Sequence, residues 1–333
     1  MTGLMNSATT LRSERAPLTE VPFSAAELPV IDPATKAWPG EDIEAGGIRL
    51  HVRRTPGVGE VTAVYVHGLG GSATNWTDLA AHLAGYAPGI AVDLPGFGRT
   101  PPLPDYQYTP EGHAEALATW LRALDLGPIH LLGNSMGGAV CIVLAARHPD
   151  LVRTLTLISP AVPDLRPNVN RMSDRRMALA FLPVVGTSVR RQLAQLTPRQ
   201  RLTQMLNLCY ADPGSVPKER IEEAVQEYAE RAEQAWAATA LAGSTIGLIR
   251  AWFARGTRSL WRFIPQVQAP TLVVWGTEDK LMTVRKAPRT ARLLQRARLL
   301  VLPRTGHVAQ MERPALVARA TLGLWETAAA DRW

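Results

Sequence analysis

Gly133-Asn134-Ser135-Met136-Gly137 follows the apolar run His130-Leu131-Leu132 and leads directly into Gly138-Ala139-Val140-Cys141. This Gly-x-Ser-x-Gly pattern has the form of a nucleophile elbow, a sharp strand-to-helix turn that holds a serine in a strained backbone conformation. The helix can return close to the strand only if the positions two residues either side of the serine lack side chains, and Gly133 and Gly137 meet that need. The turn also sets Ser135 at the positive end of a helix, where developing negative charge is favoured.

A serine hydroxyl becomes a nucleophile when a base takes its proton and a carboxylate orients the base, so an acid and then a histidine are expected further along this strand arrangement. Asp279, in Gly276-Thr277-Glu278-Asp279 after the run TLVVWG, supplies the acid, and His307, in Thr305-Gly306-His307 after RLLVLP, supplies the base. Taken singly, Asp279 reads as a turn cap and His307 as a structural histidine; their order after the elbow joins them to it. Glu278 competes for the acid role from an adjacent position, and Asp164 is a weaker substitute after the preceding strand.

A tetrahedral intermediate needs two backbone N–H donors for its oxyanion, one following the nucleophile and one from the loop after an earlier strand. Met136 is the first candidate. Leu69, in His67-Gly68-Leu69-Gly70-Gly71, is the second, because the flanking glycines let the backbone approach a substrate. His67 precedes this turn and reads as a shaper of the loop. Asp93-Leu94-Pro95-Gly96-Phe97-Gly98 is rich in turn formers and reads as a loop organiser. No dinucleotide or phosphate-binding glycine motif accompanies it, so no nucleotide cofactor is expected.

These loops need a frame. Short β-rich runs at Ile48 to Arg54, Val61 to Gly68, Gly89 to Asp93, Pro128 to Gly133, Thr154 to Ser159, Thr271 to Gly276 and Arg298 to Pro303 alternate with helical stretches. The stretches are Asn75 to Ala84, Thr109 to Leu124, Ser135 to His148, Val284 to Gln295 and Pro314 to Ala329. That rhythm predicts an α/β protein whose mostly parallel sheet is covered on both faces. Residues 1–40 lack periodicity and read as a flexible arm. Between the Thr154 and Thr271 strands only helical pieces such as Lys218 to Leu241 occur, too long a segment for a plain crossover. The predicted organisation is an arm over 1–40, core over 41–160, a helical cap over 161–268 and core again over 269–333. Trp252, Phe253, Trp261 and Phe263, interleaved with arginines, read as an apolar lining for a substrate pocket or a contact for an acyl chain or membrane surface, or else as a cap helix with inward aromatics.

The 333-residue composition, 46% hydrophobic and 20% charged, is that of a folded globular chain. Its apolar stretches, Val140 to Ala146 and Met177 to Gly186 among them, fall short of the roughly 20 residues a bilayer crossing needs. The formal charge of +7 invites a nucleic-acid reading, but only Lys36, Lys218, Lys280 and Lys286 of the 36 basic residues are lysine, a bias better explained by base composition than by phosphate recognition. Cys141 and Cys209 have no zinc-like spacing and are expected as buried thiols without metal or disulfide. Without an apolar leader at the N-terminus, a cytoplasmic location is expected.

Together, His67-Gly68-Leu69-Gly70, Asp93-Leu94-Pro95-Gly96-Phe97-Gly98, the Ser135 elbow, Gly276-Thr277-Glu278-Asp279 and Gly306-His307 resemble the α/β-hydrolase superfamily over roughly residues 45–328. The resemblance implies an α/β-hydrolase fold of about eight strands with an inserted helical cap, and cofactor-free serine hydrolase chemistry. Serine at position 135 argues against the dehalogenase and epoxide hydrolase branches, which carry an aspartate nucleophile. His67-Gly68-Leu69-Gly70-Gly71-Ser72-Ala73-Thr74-Asn75-Trp76 looks closer to capped bacterial lipases and carboxylesterases, whereas Gly133 to Gly138 and Gly306 to Pro314 look similar to carbon-carbon bond hydrolases. The expected activity is cleavage of a small-molecule carboxylic ester through an acyl-serine. A carbon-carbon bond hydrolase or acyltransferase with the same triad, and a noncatalytic ligand-binding protein on this fold, are the alternatives.

Overall fold

The computed structural model describes residues 20–32, 34–164, 195–256 and 259–333. Residues 1–19 and 33 of the expected arm, and residues 165–194 and 257–258 of the expected cap, lie outside the described residues.

The strands are β1 (Gly40–Ala45), β2 (Ile48–Thr55), β3 (Ala63–Val66), β4 (Gly89–Val92), β5 (Ile129–Asn134), β6 (Val152–Ile158), β7 (Thr271–Gly276) and β8 (Ala297–Leu302). They form one sheet in the order β1-β2-β4-β3-β5-β6-β7-β8, antiparallel through β1, β2 and β4 and parallel from β4 to β8. All seven strands read from the sequence are present. β1 falls at the boundary drawn for the arm. Its hairpin to β2 turns on Gly46 and Gly47 with φ of 58° and 74°. That left-handed pair matches the twist of the adjoining strands.

The central strands are buried on both faces, so successive residues enter different cores. Val64 and Val66 of β3 pack with Leu131 beneath α2 (Pro110–Leu124) and α3 (Met136–Arg147), against Leu117, Trp120, Val140 and Leu144. Tyr65, Leu132 and Val274 face α1 (Thr77–Leu83) and the C-terminal helix Pro314–Ala329, against Trp76, Leu79, Val317 and Leu324. Each such large side chain contributes about 1.5–3 kcal/mol on burial.

The described residues between β6 and β7 contain no strand. They form α4 (Pro198–Cys209), α5 (Lys218–Glu233), α6 (Ala237–Phe253) and the short α7 (Leu260–Phe263). The single helix expected from Lys218 to Leu241 is two, because Gln234 is extended (φ −79°, ψ 118°) and its side-chain amide donates to the Gly98 carbonyl at 2.8 Å. Two helices follow in the core, α8 (Ala287–Leu293) and α9 (Ala309–Glu312), and then the C-terminal helix, α10 (Pro314–Ala329).

The described part of the arm is hydrogen-bonded to the C-terminal helix. Ser24 N–H donates to the Arg319 carbonyl at 3.0 Å, and Arg319 donates back to the Ser24 and Ala26 carbonyls at 3.1 and 2.9 Å. Gly323 leaves room for Pro22, whose carbonyl a Cβ there would strike. The segment is tied along α10 by backbone groups, which composition does not reveal.

Candidate active site

The chain runs from β3 outward to β4 and returns to β5 on the other side of β3, so a crevice opens at the carboxyl ends of β3 and β5. Such switch points are where open α/β sheets bind ligands. The loop from His67 leaves β3 there, and Ser135 leaves β5 there.

Ser135 occupies the turn with φ 55° and ψ −119°. Such a conformation costs about 1–3 kcal/mol, which the surrounding packing must impose. The packing is tight enough to do so. A Cβ on Gly137 would collide with the Val66 and His67 carbonyls, and one on Gly133 would lie 2.5 Å from Cys141 Sγ. Ser135 N–H donates to the Ile158 carbonyl at 3.0 Å, while its carbonyl accepts from Ala139 and Ala161 N–H at 3.1 and 2.8 Å. As the first residue of α3, Met136 has no intrahelical acceptor for its N–H.

Asp279 and His307 are brought together. His307 Nδ1 lies 2.9 Å from Asp279 Oδ2, with the carboxylate fully buried and the imidazole 3% exposed. The other oxygen, Oδ1, accepts from Leu281 and Met282 N–H at 2.9 and 2.8 Å, so the carboxylate is held by backbone and keeps its second oxygen for histidine. The carboxylate accepts from Nδ1–H, leaving Nε2 with a lone pair, and that buried Nε2 has no hydrogen-bond partner among the described residues. Asp164 is instead engaged by Lys286, Nζ to Oδ1 3.3 Å, and Glu278 is exposed.

Three supports of His307 escape a reading of the sequence. Asn134 Nδ2 donates to the His307 carbonyl at 3.1 Å and to the Ile158 carbonyl at 3.1 Å. His307 N–H donates to the Cys209 carbonyl at the end of α4, at 2.6 Å. Glu312 accepts from Gly306 and Ala211 N–H at 2.8 and 3.3 Å. Lys280 caps α4 on the Asn207 carbonyl at 2.7 Å. A cation thus stands at a helix C-terminus beside the acid loop, where the helix dipole favours it. Helix α4 therefore grips the histidine loop directly.

His67 orders the other side of the crevice. Its Nε2 accepts from Leu94 N–H at 3.1 Å, so the proton is on Nδ1, which donates to the Gly68 carbonyl at 2.7 Å. Burial holds its pKa down to about 4, and the ring is neutral at ordinary pH. The same Gly68 carbonyl accepts from Gly71 N–H at 3.0 Å across a turn in which Gly70 has φ 72°. All peptide bonds here are trans, so the Leu69 N–H of that peptide points away from the His67 ring. Asp93 accepts from Ala73 and Arg99 N–H at 2.7 and 2.8 Å and braces the far end of the loop. Burial pushes its carboxyl up, and those two N–H donors oppose the shift.

The four aromatics read as a pocket lining are not gathered at Ser135. Phe263 is buried against the core and lies 5.2 Å from the Arg147 guanidinium, at the end of α3 remote from Ser135. Trp261 packs on the same core under the Arg289 guanidinium, 4.0 Å from its ring centre, and Phe253 is 64% exposed. Trp252 alone stays near, its indole donating to the Ala161 carbonyl at 2.9 Å. The short α7 turns Trp261 and Phe263 onto the core, whereas α6 leaves Phe253 exposed. A cleft of about 190 Å³ lies between α5 and the Asp93 loop, lined by Arg53, Arg99, Glu223 and Glu230, and touches neither Ser135 nor His307.

The description of the α/β hydrolase fold matches residues 64–314, and the chain belongs to that family of hydrolases. It is 26% identical over 271 residues to a 2-hydroxy-6-oxononadienedioate/2-hydroxy-6-oxononatrienedioate hydrolase of Cupriavidus pinatubonensis (strain JMP 134 / LMG 1197), covering 79% of this chain and 86% of that one. It is 28% identical over 268 residues to monoacylglycerol lipase abhd6-B of Xenopus laevis, covering 78% and 73%. Its fold resembles that of a thermophilic esterase from Thermogutta terrifontis, with TM-score 0.66, 23% identity and coverage of 87% and 99%. No helix among the described residues is long and apolar enough to cross a membrane.

Proposed function

We propose that this hydrolase cleaves a carboxylic ester through an acyl-enzyme on Ser135. The observation that carries the reading is the buried Asp279 Oδ2 to His307 Nδ1 hydrogen bond of 2.9 Å, which leaves the opposite ring nitrogen as a base. His307 Nε2 takes the Ser135 hydroxyl proton as Oγ attacks the ester carbonyl carbon. Asp279 fixes the tautomer and stabilises the imidazolium, while Met136 and Leu69 N–H hold the oxyanion. Collapse expels the alcohol, which takes the proton from His307. Water then gives a proton to His307 as it attacks the acyl carbonyl, and collapse releases the acid while His307 returns that proton to the departing Ser135 Oγ. A cytoplasmic location belongs to this reading, and both cysteines are free and buried.

The monoacylglycerol lipase among its relatives supports an ester substrate. The Cupriavidus relative favours a second reading, in which the same Ser135, His307 and Asp279 act on a 2-hydroxy-6-oxo substrate. Turnover of p-nitrophenyl esters from acetyl to palmitoyl, measured beside cleavage of a vinylogous β-ketone, separates the two. Ester kcat/KM above the ketone's supports the first reading; the reverse order replaces it with the second.

A further inference from the structure

Helix α5 places one charged side chain on the loop that carries the Leu69 amide. Arg231 Nη1 donates to the Gly70 carbonyl, and its Nη2 is paired with Glu227 Oε1 at 2.7 Å. The second Glu227 oxygen accepts from Thr74 Oγ1 at 2.6 Å, so the guanidinium is fixed between the cap and the loop that it contacts. Its side chain is 19% exposed, which keeps the contact largely out of water.

The peptide unit that Arg231 holds is the one that bears the Gly71 N–H. That N–H donates to the Gly68 carbonyl at 3.0 Å, and the Gly68 carbonyl belongs to the peptide bearing Leu69 N–H. Two trans peptides are thus threaded head to tail, with a cation at the start and the Leu69 N–H at the end. Hydrogen bonds in series polarise one another, and each fixes the plane of the next peptide. The other acceptor site of the Gly68 carbonyl is filled by His67 Nδ1–H.

We infer that Arg231 is a positioning residue: held by Glu227 and Thr74, it orients and polarises the Leu69 N–H through the Gly70–Gly71 and Gly68–Leu69 peptides, so that the cap presets the oxyanion hole. This rests on the ester-hydrolase reading for the role of Leu69, although the hydrogen-bonded link itself does not. Arg220 supplies the control. It joins the same helix to the core through Asp78 at 2.6 Å and the Thr35 carbonyl at 2.9 Å, without contact to the Gly68–Gly71 turn.

The experiment compares full-length Arg231→Gln, Arg231→Lys and Arg220→Gln with wild type, using the best p-nitrophenyl ester and hydrogen exchange over residues 68–72. Arg231→Gln lowers kcat about 10- to 100-fold with KM within about threefold, the signature of support given in the transition state. Arg231→Lys recovers part of that loss, and Arg220→Gln stays within about threefold of wild type. Exchange over 68–72 accelerates in Arg231→Gln and not in Arg220→Gln. Equal losses in Arg231→Gln and Arg220→Gln, a change confined to KM, or unaltered exchange overturns the inference. Wild type that turns over no ester, with exchange still accelerated in Arg231→Gln, overturns the ester reading and leaves the link to the loop standing.

Discussion

Asn134 and His307 are 173 residues apart in the chain and joined by one hydrogen bond, from the Asn134 amide to the His307 carbonyl at 3.1 Å. The residue preceding Ser135 thereby fixes the backbone of the expected base. Because the same amide also serves the Ile158 carbonyl, the histidine loop is pinned to the end of β6 as well. A buried hydrogen bond of this kind is worth about 1 kcal/mol, and misplacing a base costs more in rate than in stability. Asn134→Ala is expected to lower ester kcat about tenfold or more while Tm falls by only a few degrees, as a paired kinetic and thermal-melt measurement would read. An unchanged kcat would mean that His307 is held without it.

Gly68 tests how closely the β3 loop must approach the elbow. A Cβ at this position would sit 3.0 Å from Ser135 Cβ and 3.2 Å from Asn134 Oδ1, tighter than ordinary contact. Gly68→Ala is therefore expected to displace the loop by a few tenths of an ångström and to reduce acylation about tenfold or more, consistent with the value of one oxyanion donor. Burst kinetics at wild-type rate would show that the loop tolerates the shift.

Much of this site is legible in the chain itself, and the reasons are local. Ser135, Asp279 and His307 each follow a β-rich run and sit in a turn whose composition announces it, and all seven runs are strands. The supports are not legible, because Asn134 and Arg231 act on partners remote in sequence, Glu312 reaches Ala211 as well as nearby Gly306, and nothing near them says which carbonyl or N–H they will meet. The aromatics are ambiguous in the sequence for a related reason. Trp252, Phe253, Trp261 and Phe263 alternate with arginine in a way that fits either a pocket wall or a core-facing helix, and the contact of α7 with α3 bears on Trp261 and Phe263 alone. Gly46-Gly47 does carry a hairpin signal, and β1 is the strand it implies.

Buried histidines weaken the fold in acid, and the three most strongly shifted are His67, His113 and His130. Burial lowers the pKa of His67 from 6.5 to about 4 and those of His113 and His130 to about 3, so the unfolded chain binds more protons than the folded one below 6.5. Their contribution is complete above that value and is lost as pH falls through 6.5 toward 4 and 3, at about 1.4 kcal/mol per unit for each group. Tm measured from pH 7 to pH 4 is expected to fall steeply, and less steeply in His130→Gln, where one titrating group is removed from its place 4.1 Å from the Trp325 ring. A flat profile would contradict the burial of these rings.

The Cys209 carbonyl accepts from His307 N–H at 2.6 Å, and a Cβ on Gly306 would strike that carbonyl. Gly306→Ala is thus expected to push α4 off the histidine loop, with loss of most ester turnover and a destabilisation of about 1–3 kcal/mol from the forced overlap. Denaturant unfolding monitored beside turnover checks both halves, and a variant of full activity would show that α4 is not packed on this loop.

The activation of Ser135 by His307 and Asp279 underlies every step proposed for this enzyme. It is read directly by covalent labelling with a fluorophosphonate, followed by peptide mass analysis, on wild type, Ser135→Ala, His307→Ala and Asp279→Asn. One adduct per chain on Ser135 is expected, with none in Ser135→Ala and labelling slowed by at least about 10³-fold in the His307 and Asp279 variants. A folded wild type that takes no label, or an adduct at another residue, would contradict the assignment.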